Sequence, residues 1–327
     1  MKFRTEIQPD KSTTPIQLKD PILTIGSCFA DAIGKKLQEY KFKILVNPTG
    51  ATYNPHSIHT QLEYIIHNQP MQEHTFLANN EIHLNYNFNS KVSALDRSKL
   101  NEQINEVTGS MHYFLKDARW IIITYGTAWV YVRKDTGEIV ANCHKQPAAL
   151  FDKELFTQKK ILDSFDEFHK SLKAFNPNLN IIVTVSPVRH IKDSLSLNSV
   201  SKSVLRVACY TLAEQYPDVT YFPAYEIMLD DLRDYRFFES DLIHPSREAE
   251  QYIWEKFITA YFDEPTLAFV NSWRGILDDL NHKPFHPSTQ THQAFLHRLL
   301  SKLESVKNNV NVTPETQWVK SQITTIT

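Results

Sequence analysis

The sequence predicts an α/β protein, a three-layer α/β/α sandwich built around a parallel sheet. Five short apolar runs, rich in β-branched residues, alternate with longer segments whose apolar residues recur at helical spacing. Runs that are apolar on both faces are typical of parallel strands covered by helices. With 327 residues, of which 42% are hydrophobic, the chain can bury a large core.

The elements follow one another in regular order. Strands are predicted at 22–25, 43–46, 120–125, 181–185 and 220–223. Helices are predicted at 30–40, 55–68, 97–116, 151–175, 198–215 and 245–262. The polar stretch 79–90 interrupts this order and predicts a hairpin or loop insertion, the kind of segment that often carries function.

The pattern weakens after residue 262. We therefore predict a catalytic domain over 1–262 and a C-terminal extension over 263–327 that packs on the core. A charged helix is expected near 293–308, and the polar end, 309–327, is expected to be partly disordered.

Composition excludes several kinds of partner. A net charge of -2 gives no basic face for nucleic acid. No apolar run approaches the roughly 20 residues that span a bilayer, and the start has no apolar signal-peptide core. The three cysteines are odd in number and far apart, which indicates reduced thiols and predicts a cytoplasmic protein. Oligomeric state is not predicted.

The main candidate for chemistry is Ser27, which follows the first predicted strand. In open α/β sheets, ligands bind at the carboxyl ends of the strands. A serine hydroxyl needs a base to remove its proton, and His244 is the best candidate. Asp241 lies three residues earlier and could bond the other ring nitrogen, which would complete a catalytic triad. The alternative is a solvated loop with an ordinary surface carboxylate.

Glycines mark the same edge of the predicted sheet. The chain has only seven, yet Gly26, Gly50 and Gly126 all follow strand-like runs. Acyl transfer needs N–H donors for its oxyanion, and the amides of Ser27 and Gly50 are the predicted donors. An ordinary turn is the alternative for Gly50.

Several segments in order resemble one family. They are GSCFA at 26–30, NPTGATYNP at 47–55, YGTAWVY at 125–131, ANCHK at 141–145, VSPVRH at 185–190, NSVSK at 198–202 and DLIHP at 241–245. The first is the motif that names the GSCFA domain proteins, and the series runs from about residue 21 to 247. The GSCFA domain in turn resembles the SGNH, or GDSL-like, hydrolase superfamily.

That resemblance implies a flavodoxin-like five-stranded sheet of order 2-1-3-4-5. It implies Ser27 as nucleophile, Gly50 in the oxyanion hole, and Asp241 with His244 before the last helix of the sandwich. The superfamily usually adds an oxyanion donor from Gly-x-Asn after strand three, where this chain has Gly126-Thr127-Ala128. Asn142 or Asn47 could replace it. GSCFA relatives also tend to carry an Asp and a His where this chain has Asn87 and Asn89.

Other residues offer alternatives. Cys28 adjoins Ser27 but is expected to face the core, since neighbours on an extended chain point to opposite sides. Residues 199–202 match S-x-x-K, although a helix start capped by Ser199 or Asn198 explains them more simply. We predict that Gly126, Thr127, His144, Arg189 and His190 bind substrate, Asn142 being a further candidate there. A salt-bridged loop is the alternative for Arg189 and His190.

The sequence thus predicts a serine esterase or acyl hydrolase that needs no cofactor and no metal. Its expected partner is a small-molecule or carbohydrate ester, acetylated carbohydrate being implied by the superfamily alone. An O-acyltransferase with the same triad is one alternative, and a binding protein on a decayed hydrolase fold is another. A metal enzyme using His144, His190 and His244 is a third, although their spacing matches no common zinc pattern.

Overall fold

A five-stranded, all-parallel sheet forms the centre of the molecule. The structure is a computed structural model that describes residues 4–192 and 194–323. Its strands are β1 (Ile22–Gly26), β2 (Ile44–Val46), β3 (Phe76–Asn79), β4 (Ile82–Asn85), β5 (Trp120–Tyr125), β6 (Trp129–Arg133), β7 (Ile139–Val140), β8 (Phe151–Leu155), β9 (Asn180–Val185) and β10 (Val219–Phe222). The central sheet has the order β2-β1-β5-β9-β10. Counted along the chain this is 2-1-3-4-5, so the predicted fold class and strand order are confirmed.

Helices cover both faces of this sheet. They are α1 (Cys28–Glu39), α2 (Pro55–His67), α3 (Arg97–Asp117), α4 (Gln158–Phe175), α5 (Leu195–Gln215), α6 (Ala224–Glu226), α7 (Arg247–Tyr261), α8 (Glu264–Asn281), α9 (Gln290–Val306) and α10 (Thr313–Gln322). Local chemistry sets their starts: Asn54 accepts from the Ser57 amide, with Pro55 in the first turn, and Asp96 and Thr157 cap the next two helices. Among the described helices, none is long and apolar enough to cross a bilayer.

Alternation along the strands divides the core into two layers. Ile122 and Ile182 point to the face covered by α1, α7 and the C-terminal helices. Ile121 and Ile123 point to the face covered by α2, α3, α4 and α5. A parallel sheet covered on both faces explains why its strands read as continuous apolar runs.

Two small antiparallel sheets sit beside the main one. β3 and β4 form the hairpin expected within 79–90, although it begins at Phe76. β6, β7 and β8 form a three-stranded sheet that the sequence did not predict. Residues 151–155, expected to open a helix, form β8, and that helix starts only at Gln158.

The C-terminal region is more regular than expected. Helix α8 replaces the weakly patterned segment after residue 262, and α10 lies within the end that was expected to be partly disordered. Residues 324–327 lie outside the described residues. The division into a domain and an extension stays a prediction, but Trp254 of α7 and Trp273 of α8 belong to the same buried cluster.

Candidate active site

Ser27 sits at the junction of β1 and α1. Gly26 before it has φ +132, and a Cβ there would lie 2.2 Å from the Thr124 carbonyl oxygen, so only glycine fits. Ser27 caps α1, and its hydroxyl oxygen accepts a long 3.4 Å bond from the Phe29 amide. The serine is fully buried. Its hydroxyl therefore lies at the helix N-terminus and at the carboxyl edge of the sheet.

Asp241 and His244 form a hydrogen-bonded pair. The carboxylate accepts a 2.7 Å bond from Nδ1 of His244, and its other oxygen accepts from the amides of Ile243 and His244 at 2.8 and 3.0 Å. These bonds, chiefly the two from His244, lower the pKa of Asp241 to about 2. Because Nδ1 holds its proton toward Asp241, Nε2 of a neutral His244 is free to act as a base.

The loop that carries this pair is fixed by its neighbours. Arg189 donates its backbone amide to the Ile243 carbonyl and its guanidinium to the Leu242 carbonyl, at 3.2 and 3.3 Å. The guanidinium also lies 3.9 Å from the centre of the Phe238 ring. Arg189 thus holds the loop in place and also lines the cavity described below.

Helix α7 begins after this loop in a way that the sequence did not predict. Pro245 was expected to open the helix, but Ser246 is the N-cap and Arg247 the first helical residue. Pro245 instead pairs with Phe238 in an isolated bridge.

Gly126 lies where the side chains of His190 and Tyr53 approach Ser27. A Cβ on Gly126 would lie 3.0 Å from Nε2 of His190, 3.2 Å from Cβ of Ser27 and 3.2 Å from the Tyr53 ring. Gly126 is therefore the point where these three side chains converge. In the described part of the chain, Ser27 Oγ makes no hydrogen bond with His244, whereas Nε2 of His190 and the Tyr53 ring approach the same point beside Gly126 as Ser27.

His190 has an unusual environment. Its Nε2 is buried and has no hydrogen-bond partner among the described residues. Its backbone amide donates to Asn198, and the Tyr53 ring meets its ring edge-on at 5.2 Å. Burial, aided by the positive charges of Lys202 and His244, lowers the pKa of His190 to about 3. At neutral pH the ring is uncharged, with one nitrogen carrying a proton.

Lys202 lies beneath this arrangement and was missed as a site residue. Its ammonium group is buried and donates to the carbonyls of Gly126 and Ser186 at 2.8 and 2.7 Å. These carbonyls follow β5 and β9, so one side chain ties two strand ends together. The only sequence signal was the S-x-x-K match. The cap of α5 proves to be Ser194, not Ser199 or Asn198.

The loop after β5 is held from both sides. The amides of Gly126 and Thr127 donate to the Tyr53 carbonyl at 2.7 and 3.0 Å. The Thr127 hydroxyl lies 3.0 Å from that of Ser201, which also accepts from the Ala128 amide. Because Gly126 has no side chain, it can lie close to Ser27. Thr127 lines the cavity described below.

The amides predicted as oxyanion donors already have acceptors. The Ser27 amide donates to the Thr124 carbonyl at 3.0 Å and the Gly50 amide to the Asn47 carbonyl at 2.9 Å. The Asn47 side chain bonds both backbone groups of Gly26. A Cβ on Gly50 would lie 2.6 Å from Cβ of Asn89, so this glycine makes room for the insertion. An oxyanion would have to compete with these bonds.

His144 and Asn142 lie where the insertion meets the β7–β8 connection. The two ring nitrogens of His144 bond the Ser90 hydroxyl and the Asn85 carbonyl, at 2.9 and 2.8 Å. The ring is buried, so His144 acts as a clamp on the insertion and presents no free nitrogen to a substrate. Asn142 accepts from the His144 amide and donates to Ser90, yet still lines the adjoining pocket.

The structure bears on two of the alternatives. Among the described residues, no three His, Cys, Asp or Glu side chains are grouped so that they could hold a metal ion. Cys28 does not face the core as expected: it is half-buried, and its thiol lies 3.7 Å from the Tyr53 hydroxyl.

A cavity of about 690 Å³ adjoins the site. Ser27 and His244 do not line it, but Tyr53, His190 and Ile243 do. His190 and Tyr53 thus face both Gly126, beside the buried serine, and the open cavity.

The chain was compared with known proteins. No curated protein matches it. Among solved structures, a carbohydrate esterase family 3 from Talaromyces cellulolyticus has a TM-score of 0.35 and 8% identity, with 77% of this chain and 98% of that chain covered. The acetyl xylan esterase Est2A from the rumen bacterium Butyrivibrio proteoclasticus has a TM-score of 0.33 and 13% identity, with coverages of 78% and 66%.

Family models cover most of the sequence. The GSCFA family matches residues 21–257, which hold the whole central sheet and the residues described above. The C-terminal domain of GSCFA domain proteins matches residues 273–325, which hold the second half of α8 together with α9 and α10. The chain therefore belongs to the GSCFA family.

Proposed function

We propose that this protein is a serine esterase that cleaves O-acyl esters. Ser27 attacks the ester carbonyl while Nε2 of His244 takes the hydroxyl proton, and His244 then returns that proton to the leaving alcohol. Water completes the cycle by the same route in reverse, releasing the acid. Asp241 holds the ring in the required tautomer and stabilises its charged form.

One observation carries this proposal: the 2.7 Å bond between Asp241 and Nδ1 of His244. Two backbone amides fix the carboxylate, so the pair is a built unit and not a chance contact in a loop. An oriented imidazole whose Nε2 is free is what a serine nucleophile requires. The base and Ser27 lie at the same carboxyl edge of the sheet.

We further propose that His190 supplies an oxyanion donor. The Ser27 and Gly50 amides are engaged, whereas Nε2 of His190 is buried, unpartnered and directed at the point beside Ser27 that Gly126 leaves open. A neutral ring protonated on Nε2 donates one hydrogen bond there without placing a second charge in the site. His190 would then supply the oxyanion donor that the superfamily usually takes from the asparagine of Gly-x-Asn.

A binding protein without catalysis is the second candidate. The engaged amides of Ser27 and Gly50 favour it, because they leave the reacting carbonyl with fewer donors than an esterase normally offers. An acyltransferase remains a variant of the first proposal, since transfer differs only in the alcohol that replaces water.

Labelling with a serine-directed fluorophosphonate tests the esterase proposal. Wild type is expected to label, Ser27→Ala to stay unlabelled, and His244→Ala to label about 10²-fold or more slowly, the usual cost of losing a general base. Ser203→Ala, an exposed serine on α5, is the matched control and should label like wild type.

An ester panel with p-nitrophenyl acetate and acetylated sugars gives the companion result. Turnover that Ser27→Ala abolishes supports the esterase. The esterase proposal fails if Ser27→Ala labels as fast as wild type, or if wild type neither labels nor hydrolyses any ester.

A further inference from the structure

The cavity beside the site has a wall of aromatic rings. Trp129 and Tyr131 lie on β6, and Tyr131 pairs with Lys153 of β8. The Lys153 ammonium group lies 4.7 Å from the Trp129 ring centre and 5.8 Å from that of Tyr131. Aromatic faces bind ring-shaped ligands by stacking on their apolar surface, and a ligand here would displace the Lys153 ammonium group or stack beside it.

The cavity is also positively charged. Its lining includes the four cations Lys145, Lys153, Arg189 and Lys192, and no Asp or Glu among the described lining residues. Arg189 is held by the His244 loop, so Lys145 and Lys192 are the cations that can turn toward a ligand.

Polar groups complete the lining. Thr127, Asn142 and Gln146 offer a hydroxyl and two amides between the aromatic wall and the catalytic edge. Such groups suit a ligand with several hydroxyls better than a purely apolar one. Tyr53 and His190 border both this cavity and the point beside Ser27, so a ligand held in the cavity would present one of its ester groups toward the serine.

We propose that this cavity binds the alcohol part of the substrate, and that this part is a polyhydroxylated ring bearing a carboxylate. The ring stacks on Trp129 and Tyr131, and the carboxylate meets Lys145 and Lys192. The proposal rests on the esterase activity proposed above and names the substrate class: an O-acylated acidic sugar.

Matched esters test this preference. We expect kcat/KM at low salt to be about tenfold or more higher for an acetylated methyl glucuronoside than for the corresponding acetylated methyl glucoside. The preference should shrink as salt screens the charges. It should largely disappear in Lys145→Gln/Lys192→Gln, whereas Lys116→Gln, which changes an exposed lysine at the end of α3 that does not line the cavity, should keep it.

Binding to the inactive Ser27→Ala variant separates the two proposals. Methyl glucuronoside, which carries no ester, should quench the fluorescence of Trp129 at lower concentration than methyl glucoside, and Trp129→Phe should remove that signal. Turnover of both esters at equal rates, with equal binding, refutes the acidic-sugar inference and leaves the esterase standing. Selective binding without turnover of any ester refutes the esterase and keeps the ligand site. Equal binding without turnover refutes both.

Discussion

Single residues determine what the site can do, and His190 is the clearest case. Buried polar atoms are almost always hydrogen-bonded, yet Nε2 of His190 has no partner among the described residues. Its place beside Gly126 and Ser27 is why we propose that it binds the oxygen of a reacting carbonyl.

Replacing His190 tests this role. His190→Ala should lower kcat by about 10²–10³-fold with little change in KM, since the donor acts on charge that develops only in the transition state. His190→Gln keeps an N–H donor and should recover part of the loss. His74→Ala, an exposed histidine paired with Glu138, is the control. A change confined to KM would assign His190 to substrate binding alone.

Lys202 makes a prediction about stability and pH. Burial lowers the pKa of Lys202 to about 7, so the folded and unfolded chains bind different numbers of protons between pH 7 and the ordinary pKa of 10.5. In that window the unfolded chain holds more protons than the folded one. The free energy of unfolding should therefore rise with pH there, by at most about 1.4 kcal/mol per unit.

Urea unfolding at several pH values from 7 to 10.5 measures this effect. Lys202→Met should be less stable throughout, because it leaves two buried carbonyls without donors, and should lack this rise. Tyr225 remains in both proteins, and His190, whose pKa is about 3, titrates below this pH range. If the free energy of unfolding changes with pH in the same way in both proteins, Lys202 is not the group responsible for the rise.

Among the structural elements, the loop before α7 positions His244, the proposed base. It is exposed, and Arg189 anchors it by stacking on Phe238 and bonding Leu242. A cation on an aromatic face contributes about 0.5–2 kcal/mol, enough to bias a surface loop but too little to control the fold.

Arg189→Met should loosen this loop. We expect faster hydrogen exchange at the amides of Ile243 and His244, a lower kcat on a neutral ester and almost unchanged global stability. Arg189→Lys, which keeps the charge without the planar group, should restore little. Unchanged exchange together with a raised KM would instead show that Arg189 contacts substrate.

Elements were predictable from the sequence where one local pattern acted alone. β5 was predicted to the residue because WIIITY is apolar on both faces and both faces are covered. β8 was missed since FDKEL alternates only weakly and runs directly into the helical pattern of α4. The motifs named Ser27, Asp241 and His244 as candidates. The acceptor of the Ser27 amide, the Thr124 carbonyl, comes from a strand brought alongside by folding, whereas the Gly50 amide bonds Asn47 within the ordinary turn that was the alternative for Gly50. The burial of Lys202 also arises from folding.

Across the whole molecule, the core and the C-terminal helices share one hydrophobic cluster. Trp273 of α8 is fully buried and donates its ring N–H to the Glu39 carbonyl at the end of α1. Lys41 just beyond pairs with Glu315 of α10. We therefore expect the two regions to unfold in a single transition.

Two tryptophans in the tail give a matched test. Trp273→Ala should destabilise the whole protein by about 3–5 kcal/mol, as expected for a large buried aromatic, with one transition by every probe. Trp318→Ala removes a side chain that is 47% exposed and should have a much smaller effect. If Trp273→Ala unfolds only the C-terminal helices and leaves the sheet domain with its own later transition, the two regions unfold separately.

Helix α1 connects Ser27 to the C-terminal helices. Its 12 residues form a stiff rod about 18 Å long, with the Ser27 hydroxyl at one end and the clasp formed by Trp273 and Glu315 at the other. We expect that loss of the clasp would let this end of α1 move relative to the sheet. A protease cut in the C-terminal helices, or a partner that binds to them, would then change how fast Ser27 reacts at the other end of α1.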